Sequence, residues 1–114
     1  MVVVGGEPAL SRAELIRRLA TALRHTRVER AILFGSYARG TADAESDVDL
    51  VLIEPTSRPF VERGLDHPEI FRLGVGIDLL VYTPEEWRRM LVQENPLLER
   101  IAREGVDVYA RPRG

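Results

Sequence analysis

The chain has 114 residues and a mass of 12.9 kDa, which suits one hydrophobic core, so residues 1–114 are read as a single domain. With 45% hydrophobic and 30% charged residues the composition is globular, which excludes disorder as the main state. Sixteen basic against eighteen acidic residues leave a formal charge of −2, so no strong nucleic-acid binding is expected; the absence of cysteine excludes disulfides, thiolate metal sites and cysteine nucleophiles.

Met1 to Gly6 carry three consecutive valines and no basic lead, so neither a secretory signal nor a membrane span is expected, and a cytoplasmic location is the default. Ser11 followed by Glu14 has the spacing of a capping box, and Leu15, Ile16, Leu19, Ala20 and Leu23 recur at helical intervals, which predicts a helix over 11–26. Val28 and Ala31 to Phe34 read as a buried strand ended by Gly35, with a short helix starting through Tyr37, Ala38 and Arg39. Residues 47–54 form a second strand, closed by Pro55. Between 55 and 74, Pro59, Gly64, Pro68 and Gly74 interrupt a weak helical pattern, which reads as a loop with broken helix. Residues 75–82 form a third strand; Thr83 and Pro84 open one helix, Asn95 and Pro96 open another that Gly105 ends, and 106–110 make a fourth short strand before a frayed end. The alternation is that of an α/β domain.

Two parts of the segment from Phe34 to Leu50 carry chemistry. Gly35 and Ser36 stand at a strand-to-helix turn, where a glycine lets a ligand approach the backbone and free N–H groups attract phosphate; Arg39 adds positive charge. Taken alone, Gly-Ser before a helix is more often a simple turn and N-cap. Asp47 and Asp49 lie two apart on a strand, so their carboxylates share one face, and on so apolar a strand they are costly without a cation. Magnesium, with its oxygen ligands and shared phosphates, is the natural one. Asp78 is a third acid in an otherwise apolar strand, and it joins the others if the two strands are neighbours. All sixteen basic residues are arginine, which suits anion binding but is explained more simply by genome base composition. His25 and His67 read as a helix-end cation and a loop residue, and Trp87, Met90, Leu91, Leu97, Leu98 and Ile101 as packing. Tyr37 either flanks a ligand at the turn or packs beside the strand end.

Gly35, Ser36, a ten-residue spacer, Asp47-Val48-Asp49, the flanking Ala38, Arg39, Gly40 and Ser46, and Asp78 on a later strand together resemble the polymerase β-like nucleotidyltransferase superfamily, in particular its minimal nucleotidyltransferase branch. The resemblance covers most of the chain. It implies a mixed sheet of three to four strands with flanking helices. It also implies that Gly35 and Ser36, with Arg39 nearby, hold the triphosphate of ATP or another nucleoside triphosphate. Asp47, Asp49 and Asp78 would bind one or two Mg2+ ions, with Asp78 helping to deprotonate an acceptor hydroxyl.

Larger members carry a helical domain for the base or the acceptor, which 114 residues leave no room for, so an acceptor surface is expected from a partner or from self-association. The resemblance implies that the partner is a helical HEPN-type toxin, that AMP is moved onto one of its tyrosines, and that the chain acts as its antitoxin. The alternative is a non-catalytic module that binds nucleotide and neutralises the HEPN partner by covering it. Transfer to a small molecule such as an aminoglycoside is disfavoured by the missing acceptor domain.

Overall fold

In the computed structural model, which describes residues 6–112, α1 (Arg12–Leu23) is the amphipathic helix that the leucine spacing implies. Leu15, Leu19 and Leu23 lie one turn apart on a single face and are fully buried. Ser11 caps its start, its hydroxyl accepting the Glu14 N–H at 3.1 Å. The Glu14 carboxylate turns instead to Arg17 and Arg18, so only half of the expected capping box forms. The helix stops three residues short of the predicted 26. The Thr26 hydroxyl donates to the Leu23 carbonyl at 2.8 Å and accepts the Val28 N–H at 3.2 Å, which turns the backbone out of the helix. The N-terminal valine run and the final two residues lie outside the described residues.

The strands are β1 (Arg30–Phe34), β2 (Val48–Ile53), β3 (Ile77–Tyr82) and β4 (Val106–Ala110), arranged β3-β2-β1-β4. β1 pairs antiparallel with β2 and with β4, whereas β2 and β3 run parallel, so the sheet is mixed. A parallel pair cannot be closed by a hairpin, which is why the interrupted segment after β2 is long. It holds two 3-10 helices, Phe60–Asp66 and Ile70–Arg72, as the weak pattern there suggested. Arg63, buried within it, pins this crossover to the end of β3 by donating to the Val81 carbonyl at 2.9 Å and to Glu86 Oε1 at 2.6 Å.

Both sheet faces are covered, which explains why β1 and β2 are continuously apolar rather than alternating. On one face Ala31, Leu33, Leu50 and Leu52 pack with the α1 leucines and Tyr37; on the other, Ile32, Phe34, Val51 and Ile53 pack with Trp87 and Ile101. Those two residues belong to α3 (Pro84–Val92) and α4 (Pro96–Glu104). A capping box between Thr83 and Glu86 starts α3, and the Asn95 side chain accepts the Leu97 N–H at 2.9 Å to start α4. Met90, Leu97 and Leu98 flank this second core as expected, but Leu91 is exposed, on the outer side of α3. No helix among the described residues is long and apolar enough to cross a membrane.

Candidate active site

The five-residue helix α2 (Gly35–Arg39) follows β1 directly. Ser36 is not its N-cap: Phe34 holds that position in extended backbone, no side chain caps the helix, and Ser36 sits inside it. The reading of Ser36 as an N-cap therefore fails, because the cap position carries no polar side chain. Gly35 is required on two grounds. Its φ of 75° is left-handed, and a Cβ there would overlap the Asp49 carboxylate.

The loop into β2 is shaped by Asp43 and Ser46. The Asp43 N–H donates to Ser46 Oγ at 2.9 Å, and the Glu45 N–H to Asp43 Oδ1 at 2.9 Å. This turn delivers Asp47, exposed and just ahead of β2, and then Asp49 on the strand. Asp49 shares its face with Val51 and Ile53, so it points to the α3–α4 side of the sheet. In the parallel register Asp49 lies directly beside Asp78. The condition that β2 and β3 be neighbours is met.

Asp49 is half-buried and its pKa lies above the ordinary carboxylate value. Burial is the first cause and the Asp78 charge the second; a hydrogen bond with Asp78 and the Asp47 charge act in the same direction, while Arg100 opposes them. Asp47 is accommodated by a second glycine. The Val48 N–H donates to the Gly76 carbonyl at 2.8 Å, and a Cβ on Gly76 would overlap Asp47 Oδ1. Asp47 and Asp49 thus each pack against a glycine of a neighbouring segment.

Among the described residues no three His, Asp or Glu side chains are gathered tightly enough to enclose a metal ion. The expected convergence of three carboxylates is therefore not seen as one cluster: Asp49 and Asp78 form a pair, and Asp47 acts on Asp49 only through its charge, from the approach to β2. Such an arrangement still suits Mg2+, which binds through one or two carboxylates and completes its octahedron with water and substrate phosphate oxygens.

Arg39 lies beside the turn, but it is not free: its guanidinium donates to Glu104 Oε2 at 2.9 Å. Tyr37 is buried in the core on the α1 side, which settles its alternatives in favour of packing. His25 is exposed beyond the end of α1, as expected. His67 departs from the plain loop residue expected of it: it is buried and bonds Glu54 Oε1 at 2.6 Å. That pair borders a cavity of about 470 Å³ at the far end of β2, five residues beyond Asp49 and hence roughly 16 Å away. None of the three aspartates lines that cavity. Sequence reasoning missed Gly76, Arg100 and Glu104, all of which touch the site. The signal for Glu104 was present: an acid in the last turn of a helix opposes the helix dipole and needs an external partner.

Residues 16–112 match the family model of the nucleotidyltransferase domain. The chain belongs to the nucleotidyltransferase domain family. It is 40% identical over 73 residues to a candidate protein adenylyltransferase of Methanocaldococcus jannaschii, an alignment that takes in 59% of this chain and 48% of that protein. The chain therefore spans about half the length of the curated relative it matches.

Solved structures share the polymerase β-like fold. One is a toxin–antitoxin with AMP-PNP, 17% identical with a TM-score of 0.60, covering 83% of this chain and 73% of that one. A candidate nucleotidyltransferase from Sulfolobus solfataricus is 17% identical, with a TM-score of 0.59 over 91% of this chain and 87% of its own. A tri-AMPylated Shewanella oneidensis HEPN toxin in complex with MNT antitoxin gives 15% identity and a TM-score of 0.55, covering 87% and 72%. At these identities the likeness is one of fold.

Proposed function

We propose that the chain transfers a nucleoside monophosphate, AMP from ATP, onto a hydroxyl of a partner protein, taken to be a tyrosine of a HEPN-type toxin, and so serves as its antitoxin. The observation that carries this reading is the in-register Asp49–Asp78 pair beside the Gly35–Ser36 turn. Burial and then the Asp78 charge raise the pKa of Asp49, as suits a site short of positive charge, and a glycine stands directly against the carboxylate of each of Asp47 and Asp49. Asp47, Asp49 and Asp78 would hold one or two Mg2+ ions, which supply charge neutralisation at the phosphate oxygens. Ser36 and Arg39 would bind and orient the triphosphate. Asp78, exposed on the edge strand of the sheet, would accept the proton of an incoming hydroxyl.

The HEPN partner is supported by the toxin–antitoxin complexes among the fold neighbours and by the open setting of the acids, which leaves an acceptor protein free access. The test is incubation with labelled ATP, Mg2+ and the product of the adjacent gene. The partner should become labelled, and Asp47→Ala or Asp49→Ala should abolish the label. Labelling that persists in both variants overturns the site. Full neutralisation of the partner by Asp49→Ala would instead assign the antitoxin role to binding alone.

A further inference from the structure

Glu104 ends α4 where exposed carbonyls disfavour an anion, yet it is the most heavily bonded acid near the site. Its Oε1 accepts the Gly35 N–H at 3.0 Å and the Arg100 Nε–H at 2.7 Å, and its Oε2 accepts from Arg39 at 2.9 Å. These donors hold its carboxyl below the usual carboxylate range, Arg39 being the largest cause. Arg100 also lies over the Phe34 ring, 5.3 Å from its centroid, and its charge reaches Asp49. One carboxylate therefore ties together the start of α2 and two guanidinium groups drawn from different elements, all beside the acidic pair.

The exposures tell which of these groups are available. The Glu104 side chain is 16% exposed, while those of Arg39 and Arg100 are 46% and 44% exposed. Each guanidinium carries five N–H donors and spends one on Glu104, so both half-exposed side chains keep donors for a ligand. Two cations against one anion leave a net positive charge on the phosphate side of the site. A group recognised there must present negative charge over several oxygens, which describes the β- and γ-phosphates of a nucleoside triphosphate.

We propose that Arg100 is a second phosphate-binding residue beside Arg39, and that Glu104 is a positioning residue that holds the two arginines as a clamp for the triphosphate. This rests on the nucleotidyl-transfer reading above. The gain from Glu104 is pre-organisation: a free arginine side chain loses rotamer entropy when it is fixed, and fixing it before substrate arrives removes part of that cost from binding.

The test is calorimetric binding of a non-hydrolysable ATP analogue with Mg2+ to the full chain. Arg100→Gln and Glu104→Gln should each weaken binding by about 10-fold, the scale of one charge-assisted hydrogen bond, with melting temperatures close to wild type. In the labelling assay Glu104→Gln should raise the KM for ATP by a similar factor with kcat within about twofold. Binding to Glu104→Gln as tight as, or tighter than, wild type overturns the proposal, because the carboxylate would then be competing for the place of a phosphate. Should Glu104→Gln fail to fold, undiminished binding to the exposed-site variant Arg100→Gln has the same force. Wild-type binding that ignores Mg2+ removal and Asp49→Asn would instead overturn the nucleotide site itself, so the two failures are distinguishable.

Discussion

Asp49→Asn should stabilise the fold while it abolishes transfer. Asp49 and Asp78 are register neighbours on adjacent parallel strands, which places their backbones about 4.8 Å apart. At that separation two unit charges repel by about 1 kcal/mol in bulk water and about 3.5 kcal/mol at an effective dielectric of 20. Asp78 is exposed, so the lower end applies, and a gain of about 1 kcal/mol is expected for the neutral isostere at pH 7 without divalent ions. For a chain of this size that corresponds to roughly 4 °C in Tm. The pH dependence fixes the sign. The folded pKa of Asp49 is raised, so between the unfolded value of 3.8 and the folded value the native state holds the extra proton, and stability falls as pH rises through that window. The advantage of the asparagine is thus complete above the window and disappears below it. Urea titrations at pH 7 and at a pH below 3.8, in the presence of a chelator, measure both ends. Mg2+ should stabilise the wild type at pH 7 and the variant much less. A variant less stable than wild type by 1 kcal/mol or more at pH 7, or a stability gain that persists in acid, would refute the reasoning.

Two substitutions separate the site from the scaffold. Gly76→Ala puts a methyl group onto the Asp47 carboxylate, whose free end can swing aside, so stability should change by less than about 1 kcal/mol while nucleotidyl transfer drops at least 10-fold; full activity would remove Gly76 from the site. His67→Ala leaves the buried Glu54 without its partner and should cost about 3 kcal/mol in a denaturant titration, with transfer per folded molecule unchanged because the pair lies at the opposite end of β2. Loss of transfer in folded His67→Ala would show that the two ends of the sheet are coupled.

What the sequence revealed, and what it hid, divides by distance along the chain. The two-residue spacing of Asp47 and Asp49 is a local signal that marks the acids at the start of β2 whatever the strand pairs with, although the strand begins at Val48 and leaves Asp47 just outside it, and the leucines of α1 declare their buried face in the same local way. The partner of Asp49 depends on strand order, which is set by a crossover, residues 54–76, whose broken pattern carries no register information. Hence Asp78 was recognisable as anomalous but not as a neighbour. The same holds for His67, whose loop setting gave no sign that Glu54, thirteen residues away, would bury it. Arg100 and Glu104 illustrate a subtler loss. Four apart on a helix, they read as an ordinary surface pair worth a few tenths of a kcal/mol. Yet a carboxylate at a helix C-terminus is repelled by the carbonyl dipoles, and a pair oriented arginine-first gains less than the reverse. Such an acid is stable only if donors from elsewhere in the fold reach it. Here they do, through the Gly35 N–H and Arg39, so a locally unfavourable charge was the mark of a distant contact that no spacing could name.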